Sequence, residues 1–122
     1  MPDESVVVLV VEDEALIRMD AADRLTEAGY TVIQARNADD AIRVLESRAD
    51  VRIVFTDVDM PGTMDGLKLA HFVRGRWPPI KLVVTSGQVS LTDADLPDGG
   101  RFLRKPYTTQ NLTRTMASVI AS

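Results

Sequence analysis

The chain has 122 residues, of which 45% are apolar and 26% are charged, with a net charge of −4 at pH 7. This size predicts a single domain over residues 1–122. The acidic balance argues against direct binding of nucleic acid, because phosphate backbones require a basic surface. The absence of cysteine excludes disulfides, thiolate metal sites and cysteine nucleophiles. No apolar stretch approaches the length of a membrane span, and we expect a cytoplasmic protein without membrane contact.

Patterns of strand and helix alternate along the chain. The β-branched run Val6–Val11 is typical of a strand buried on both faces. Residues 14–28 follow the pattern of an amphipathic helix, with apolar side chains at three- and four-residue steps: Leu16, Ile17, Met19, Ala21 and Leu25. The other predicted elements are, in chain order, a strand over Thr31–Ala35, a helix capped by Asn37, a strand over Val51–Thr56, a helix over Leu67–Trp77, strands over Ile80–Thr85 and Arg101–Arg104, and a helix capped by Thr108 or Thr109.

Strands that alternate with helices predict an α/β fold, with a five-stranded parallel sheet and helices on both of its faces. One segment departs from this alternation. Residues 88–100 contain three aspartates, one proline and two glycines, all poor helix formers. We therefore expect a short or irregular fourth helix there, followed by a loop.

Polar and charged residues stand directly after four of the predicted strands. In open parallel α/β sheets, binding sites form beyond the carboxyl ends of the strands, so these residues should converge. They are Glu12, Asp13 and Glu14 after the first strand, Asp57 and Asp59 after the third, Thr85, Ser86 and Gly87 after the fourth, and Lys105 after the fifth.

Three of these carboxylates would be crowded at one edge of the sheet: Glu12, Asp13 and Asp57. Two like charges roughly 4 Å apart repel by about 4 kcal/mol at an effective dielectric constant of about 20. Mg²⁺ prefers carboxylate and carbonyl oxygens and would relieve this repulsion. With the cation bound, Asp57 could attack phosphorus as a nucleophile and form an acyl phosphate. Lys105 and the Ser86 hydroxyl would then contact the phosphoryl oxygens.

Six short motifs carry these residues: Val10-Val11-Glu12-Asp13, Asp57 at a strand end, Met60-Pro61, Met64-Asp65-Gly66, Ser86-Gly87 and Lys105-Pro106. Together they resemble the receiver domain of two-component response regulators, over nearly the whole chain. The resemblance implies a doubly wound, flavodoxin-like (βα)5 fold with strand order 2-1-3-4-5. It also implies a signalling switch, not a metabolic enzyme, which catalyses its own phosphorylation and dephosphorylation. The donor would be a phosphohistidine on a histidine kinase or histidine phosphotransfer protein, and the output would be an unknown downstream protein target.

The resemblance assigns the acidic residues to acceptance of the phosphoryl group and to Mg²⁺. Asp57 is the phosphoacceptor and also a metal ligand. Asp13 is a direct ligand, Glu12 acts through water, and the backbone carbonyl of Asp59 completes the protein's share of the metal shell.

The resemblance assigns the remaining residues to phosphate binding and switching. Lys105 binds the phosphate, and the Lys105–Pro106 peptide bond is expected to be cis. Ser86 is the switch hydroxyl, because the small residue Gly87 follows it. Phe102 is the aromatic side chain that swings inward when this hydroxyl moves.

Two features depart from the commonest pattern of the family. Gly62-Thr63 lengthens the loop after Asp57 by one residue, and residues 88–100 are short for a loop and a helix. The longer loop is similar to that of receivers that stand alone or are joined to hybrid histidine kinases. Two alternatives stay open, namely a degenerate receiver that serves only as an interaction module, and a flavodoxin-like mononucleotide binder. The acidic residues 12–14 disfavour the second, because they replace the phosphate-binding loop that it requires.

Overall fold

The computed structural model describes residues 5–121, and the ends of the predicted domain, residues 1–4 and 122, lie outside the described residues. The α-helices and strands are β1 Val7–Val11, α1 Ala15–Glu27, β2 Thr31–Ala35, α2 Ala38–Ser47, β3 Val51–Asp57, α3 Gly66–Arg76, β4 Lys81–Ser86, β5 Arg101–Arg104 and α4 Thr109–Ala121. Within residues 5–121 no helix is both long enough and apolar enough to span a membrane.

The five strands form one parallel sheet in the order β2-β1-β3-β4-β5, which confirms the predicted topology. Strands β1, β3 and β4 occupy its centre and are buried almost throughout, as their β-branched sequences predicted. Val11 pairs with Thr56, and Asp57 pairs with Thr85. The carboxyl ends of the three central strands therefore lie side by side.

Each face of the sheet supports its own hydrophobic core. Helices α2 and α3 cover one face, where Leu45, Leu69 and Val73 pack against alternate strand residues. Helices α1 and α4 cover the other face, where Leu25 and Met116 are fully buried. This arrangement buries both faces of the central strands and leaves their carboxyl ends open at one edge.

Helix α1 corrects one expectation from the sequence. Ala21 and Leu25 are buried as predicted, but Leu16, Ile17 and Met19 are 82%, 38% and 51% exposed. The helix begins at the carboxyl edge of the sheet, where the strands that could cover its first turns have ended. Its apolar pattern therefore continues beyond the core onto the surface.

Between β4 and β5, where a complete (βα)5 pattern would have an α-helix, the chain forms a single 3-10 turn over Asp93–Asp95. The composition of residues 88–100 predicted this irregular segment. Leu96, directly after the turn, is buried in the core, and side-chain hydrogen bonds hold the turn itself. The backbone N–H of Thr92 donates to the Asp95 carboxylate at 2.8 Å, and the backbone N–H of Phe102 donates to the Asp93 carboxylate at 2.8 Å. The turn is thus attached to the edge strand β5 by one carboxylate.

Candidate functional site

A cleft of about 260 Å³ opens at the carboxyl edge of the sheet. It collects most of the side chains that the sequence predicted to converge. The predicted residues that line it are Glu12, Asp13, Glu14, Asp57, Asp59, Gly87 and Lys105. Ser86 lies beside the cleft and contacts Asp59, whereas Phe102 lies apart from it on β5, half-buried against the core that α2 and α3 cover.

The carboxylates in this cleft are close enough to share one cation. Glu12, Asp13 and Asp57 each offer an oxygen within 4.8 Å of the others. Asp57 is 5% exposed, and its Oδ1 atom is buried without a hydrogen-bond partner among residues 5–121. A buried, unpaired carboxylate oxygen is costly unless a ligand satisfies it. The three carboxylates together form an oxygen donor set that fits Mg²⁺.

Glu12 is held in place on three sides. Its Oε2 atom accepts a hydrogen bond from the backbone N–H of Glu14 at 3.0 Å, and its Oε1 atom accepts one from the Lys105 ammonium at 3.2 Å. The Arg18 guanidinium donates to the Glu12 backbone carbonyl at 2.9 Å. Arg18 was missed by the sequence analysis, because a contact between a helix and the preceding strand end leaves no motif.

Lys105 provides the positive charge of the cleft. Its Nζ atom lies 3.2 Å from Glu12 Oε1 and 3.4 Å from Asp57 Oδ2. Burial lowers the pKa of Lys105, but attraction to Asp57 and then to Glu12 outweighs this effect, so the net pKa lies above the ordinary 10.5. The side chain therefore stays charged at neutral pH and offsets part of the negative charge. The Lys105–Pro106 peptide bond is cis, as expected.

Asp13 is the exposed member of the acidic cluster. Partial burial raises its pKa above the ordinary value of 3.8, and a hydrogen bond and charge repulsion from Glu12 raise it further. A backbone hydrogen bond and Lys105 oppose this shift without cancelling it. The raised pKa means that the folded protein holds a proton on Asp13 more tightly than an isolated carboxylate would, through burial first and through the neighbouring Glu12 second.

Ser86 is fully buried at the end of β4, and its hydroxyl donates to Asp59 Oδ2 at 2.7 Å. Its Oγ atom also accepts hydrogen bonds from the backbone N–H groups of Gln88 and Val89, at 3.1 Å and 2.9 Å. The sequence predicted the convergence of Ser86 and Asp59 at this edge. It did not predict this contact, since the direction of two side chains is set by the loops that follow the strands.

Gly66 positions the backbone of the candidate acceptor. A Cβ atom at this position would collide with the carbonyl oxygen of Asp57 and would lie 2.9 Å from Val58 Cα. The backbone N–H of Gly66 donates to the Val58 carbonyl at 3.1 Å. Helix α3 therefore starts directly against the end of β3, and Asp65 caps it by accepting from the Lys68 N–H at 2.9 Å.

The family model of the response regulator receiver domain matches residues 8–117, and the chain belongs to this family. Receiver domains are signalling switches of two-component systems, not classical enzymes. The resemblance found in the sequence is thereby confirmed.

Relatives from several bacteria agree with this assignment. The chain is 36% identical to the sensor kinase CckA of Brucella abortus over 95% of this chain and 13% of that protein. It is 30% identical to the chemotaxis protein CheY1 of Helicobacter pylori over 93% of this chain and 96% of that protein. The chain spans between 13% and 52% of the length of the first curated relatives that it matches.

Solved structures give the same fold. A response regulator receiver protein from Sinorhizobium medicae superposes with a TM-score of 0.88 at 30% identity, over 98% of this chain and 97% of that one. The response regulator TrrA from Thermotoga maritima, solved in complex with Mg²⁺ and BeF, superposes with a TM-score of 0.80 at 24% identity, over 93% of this chain and 98% of that one.

Proposed function

We propose that the protein accepts a phosphoryl group on Asp57 from a phosphohistidine, in a Mg²⁺-dependent reaction. The observation that carries this proposal is the buried Oδ1 atom of Asp57, which has no partner among the described residues, within an acidic cluster that Lys105 partly neutralises. Such an oxygen is available either to a cation or to phosphorus. The degenerate alternative gives no reason for keeping an unpaired carboxylate oxygen buried.

The proposed reaction is an in-line phosphoryl transfer. An oxygen of Asp57 forms a new bond to phosphorus while the P–N bond of the donor breaks, and its electron pair goes to the imidazole nitrogen. Mg²⁺ bound in the cleft would neutralise charge on the phosphoryl oxygens. Lys105, held 3.4 Å from Asp57 Oδ2, is placed to neutralise one more oxygen. Both steps, phosphorylation and dephosphorylation, would be catalysed by the protein itself.

The proposed metal ligands are the carboxylates of Asp13 and Asp57 and the backbone carbonyl of Asp59. Glu12 would act through water, because both of its carboxylate oxygens already have hydrogen-bond partners. The Asp59 carboxylate is engaged by Ser86, which is consistent with a role for its backbone carbonyl rather than its side chain.

The proposed switch consists of Ser86 and Phe102. The Ser86 hydroxyl would move toward the phosphoryl oxygens, and the half-buried ring of Phe102 would follow into the space that it leaves. Phe102 pairs with Val84 across the sheet, two residues before Ser86 on the same strand. A shift at the end of β4 could therefore be transmitted to β5 through directly paired residues.

The proposed phosphodonor is a histidine kinase or a histidine phosphotransfer protein that docks on α1. Leu16, Ile17 and Met19 expose apolar surface on its first turns, and Ile17 also lines the cleft that contains Asp57. Clustered exposed apolar side chains beside a reactive group are typical of a protein docking surface. The proposal includes a cytoplasmic location, where the ATP that supplies phosphohistidine is made.

Intact mass spectrometry tests the central proposal. Incubation with acetyl phosphate and Mg²⁺ should add one phosphoryl group to the wild-type protein and none to Asp57→Asn. Asp50→Asn is the matched control, since Asp50 immediately precedes β3 at the opposite edge of the sheet. The proposal fails if the wild type gains no mass with any small donor, or if the Asp57→Asn protein gains it equally.

A panel of phosphorylated histidine kinases and phosphotransfer proteins tests the docking surface. With any donor that transfers to the wild type, Leu16→Asp should slow transfer at least tenfold, while phosphorylation by acetyl phosphate stays unchanged. Equal slowing with acetyl phosphate would indicate damage to the cleft and would contradict a docking role for α1.

A further inference from the structure

The hydroxyl of Ser86 has no hydrogen-bonding capacity left in this structure. A serine hydroxyl has one proton to donate and two lone pairs to accept with. The proton goes to Asp59 Oδ2, and the lone pairs accept from the N–H groups of Gln88 and Val89. Because Ser86 is fully buried, water cannot easily take over any of these bonds. The hydroxyl can therefore reach a new acceptor only by giving up Asp59.

The carboxylate of Asp59, which accepts the hydrogen bond from the Ser86 hydroxyl, is half-buried. Asp59 lines the same cleft as Asp13 and Asp57 and forms no ion pair with a residue in the described part of the chain, because Lys105 bonds to Glu12 and Asp57 instead. The Ser86 hydroxyl thus stabilises a carboxylate that lacks a neighbouring cation. Hydrogen bonds to a charged acceptor are about twice as strong as those between neutral groups.

We propose that the side chain of Asp59 is a positioning residue that holds the Ser86 hydroxyl away from Asp57 and competes with the phosphoryl group for its proton. The inference rests on the proposed function, in which Ser86 contacts the phosphoryl oxygens. Asp59 thereby favours the unphosphorylated arrangement of β4. Phosphorylation switches the protein only to the extent that the phosphoryl group is a better acceptor than the Asp59 carboxylate.

Two substitutions separate the hydrogen bond of Asp59 from its charge. Asp59→Asn removes the charge but keeps an acceptor oxygen, whereas Asp59→Ala removes both. In the metal-free protein, NMR should show large shifts of the Gln88 and Val89 amide signals in Asp59→Ala and small shifts in Asp59→Asn. Equal shifts in the two variants would contradict the proposed hold on Ser86.

The competition between Asp59 and the phosphoryl group for the Ser86 hydroxyl can be measured through the affinity for beryllofluoride, a phosphoryl mimic, in the presence of Mg²⁺. Asp59→Ala should bind it about fivefold more tightly than Asp59→Asn, since the neutral hydrogen bond that Asn can still accept from Ser86 changes the balance by about that factor. In a Ser86→Ala background the two variants should bind with equal affinity. Comparing Asp59→Asn and Asp59→Ala in both backgrounds separates the hydrogen bond from general packing, because a difference in packing between Asn and Ala would remain when the Ser86 hydroxyl is absent.

The outcomes separate this inference from the proposed function. If the two Asp59 variants differ equally with and without the Ser86 hydroxyl, or do not differ at all, Asp59 does not compete for it, although beryllofluoride binding would still support phosphorylation at Asp57. If the wild type binds no beryllofluoride and gains no phosphoryl group, the proposed function fails and the inference fails with it.

Discussion

The loops that follow β3 and β4 lie side by side at one edge of the sheet, yet they are built differently. Asp57 is fixed by a central strand, by the close approach of Gly66 and by Lys105. Residues 88–100 contain one 3-10 turn, held to β5 by the Asp93 carboxylate. The candidate acceptor is thus fixed by a central strand and a close backbone contact, whereas residues 88–100 are anchored by Leu96, which is buried in the core, and by a few polar contacts at the surface. The exposed residues 92–95 between these anchors can open locally more easily than the end of a buried strand.

Of the substitutions near Asp57, replacing Lys105 should have the largest effect on the rate of phosphorylation. Lys105→Met removes the charge beside Asp57, so phosphorylation by acetyl phosphate should slow by about 100-fold or more, as for the loss of one electrostatic contact in a transition state. The rate can be followed by intact mass. Lys68→Met is the control, because Lys68 is exposed on α3, and its rate should match the wild type. A Lys105→Met rate within twofold of the wild type would contradict the role of this residue.

Gly66→Ala tests how strictly the backbone of the acceptor is fixed. Its Cβ atom would collide with the Asp57 carbonyl, so the free energy of unfolding should fall by about 1–3 kcal/mol. The matched control is Gly75→Ala in the same helix, where a Cβ meets open space and should stabilise by up to about 1 kcal/mol. Urea denaturation measures both. Similar values for the two variants would show that the loop after β3 is as adaptable as residues 88–100.

Asp93→Ala tests the second of these regions, residues 88–100. It removes the acceptor of the Phe102 N–H, so stability should fall by about 1 kcal/mol and hydrogen exchange of that amide should accelerate. The phosphorylation rate with acetyl phosphate should stay within twofold of the wild type, because this carboxylate does not line the cleft that contains Asp57. A large loss of rate would mean that the two regions are coupled.

Replacing Asp13 should have the smallest effect on the stability of the metal-free protein, with a distinct pH dependence. Because the pKa of Asp13 is raised, the folded state favours the protonated carboxyl. This preference adds to folding stability in full below about pH 3.8, and the added stability is lost as the pH rises through the raised pKa. At pH 7 without metal, Asp13→Asn should therefore raise the melting temperature by about 2–4 °C, or roughly 0.5 kcal/mol, since the residue is exposed. The gain should disappear at pH 3. A lower melting temperature at pH 7 would contradict the predicted repulsion.

The sequence predicted the parallel sheet and the edge at which the acidic residues gather, because these follow from β-branched runs and from where polar residues end them, whereas the strand order came from the resemblance to receiver domains. It also predicted the irregular segment 88–100 from its composition. It was wrong about Leu16, Ile17 and Met19, since a helical pattern does not reveal where the covering sheet ends. Local side-chain directions, such as the contact between Ser86 and Asp59, depend on loop geometry that no pattern encodes.

Soaking crystals with Mn²⁺, which substitutes for Mg²⁺ and has a measurable anomalous signal, tests the central claim most directly. The proposal predicts one anomalous peak bounded by the carboxylates of Asp13 and Asp57 and by the backbone carbonyl of Asp59, and its loss in crystals of Asp13→Asn. A cleft without a peak, or a peak held by other acidic groups, would contradict the claim that this edge of the sheet gathers its carboxylates around one cation.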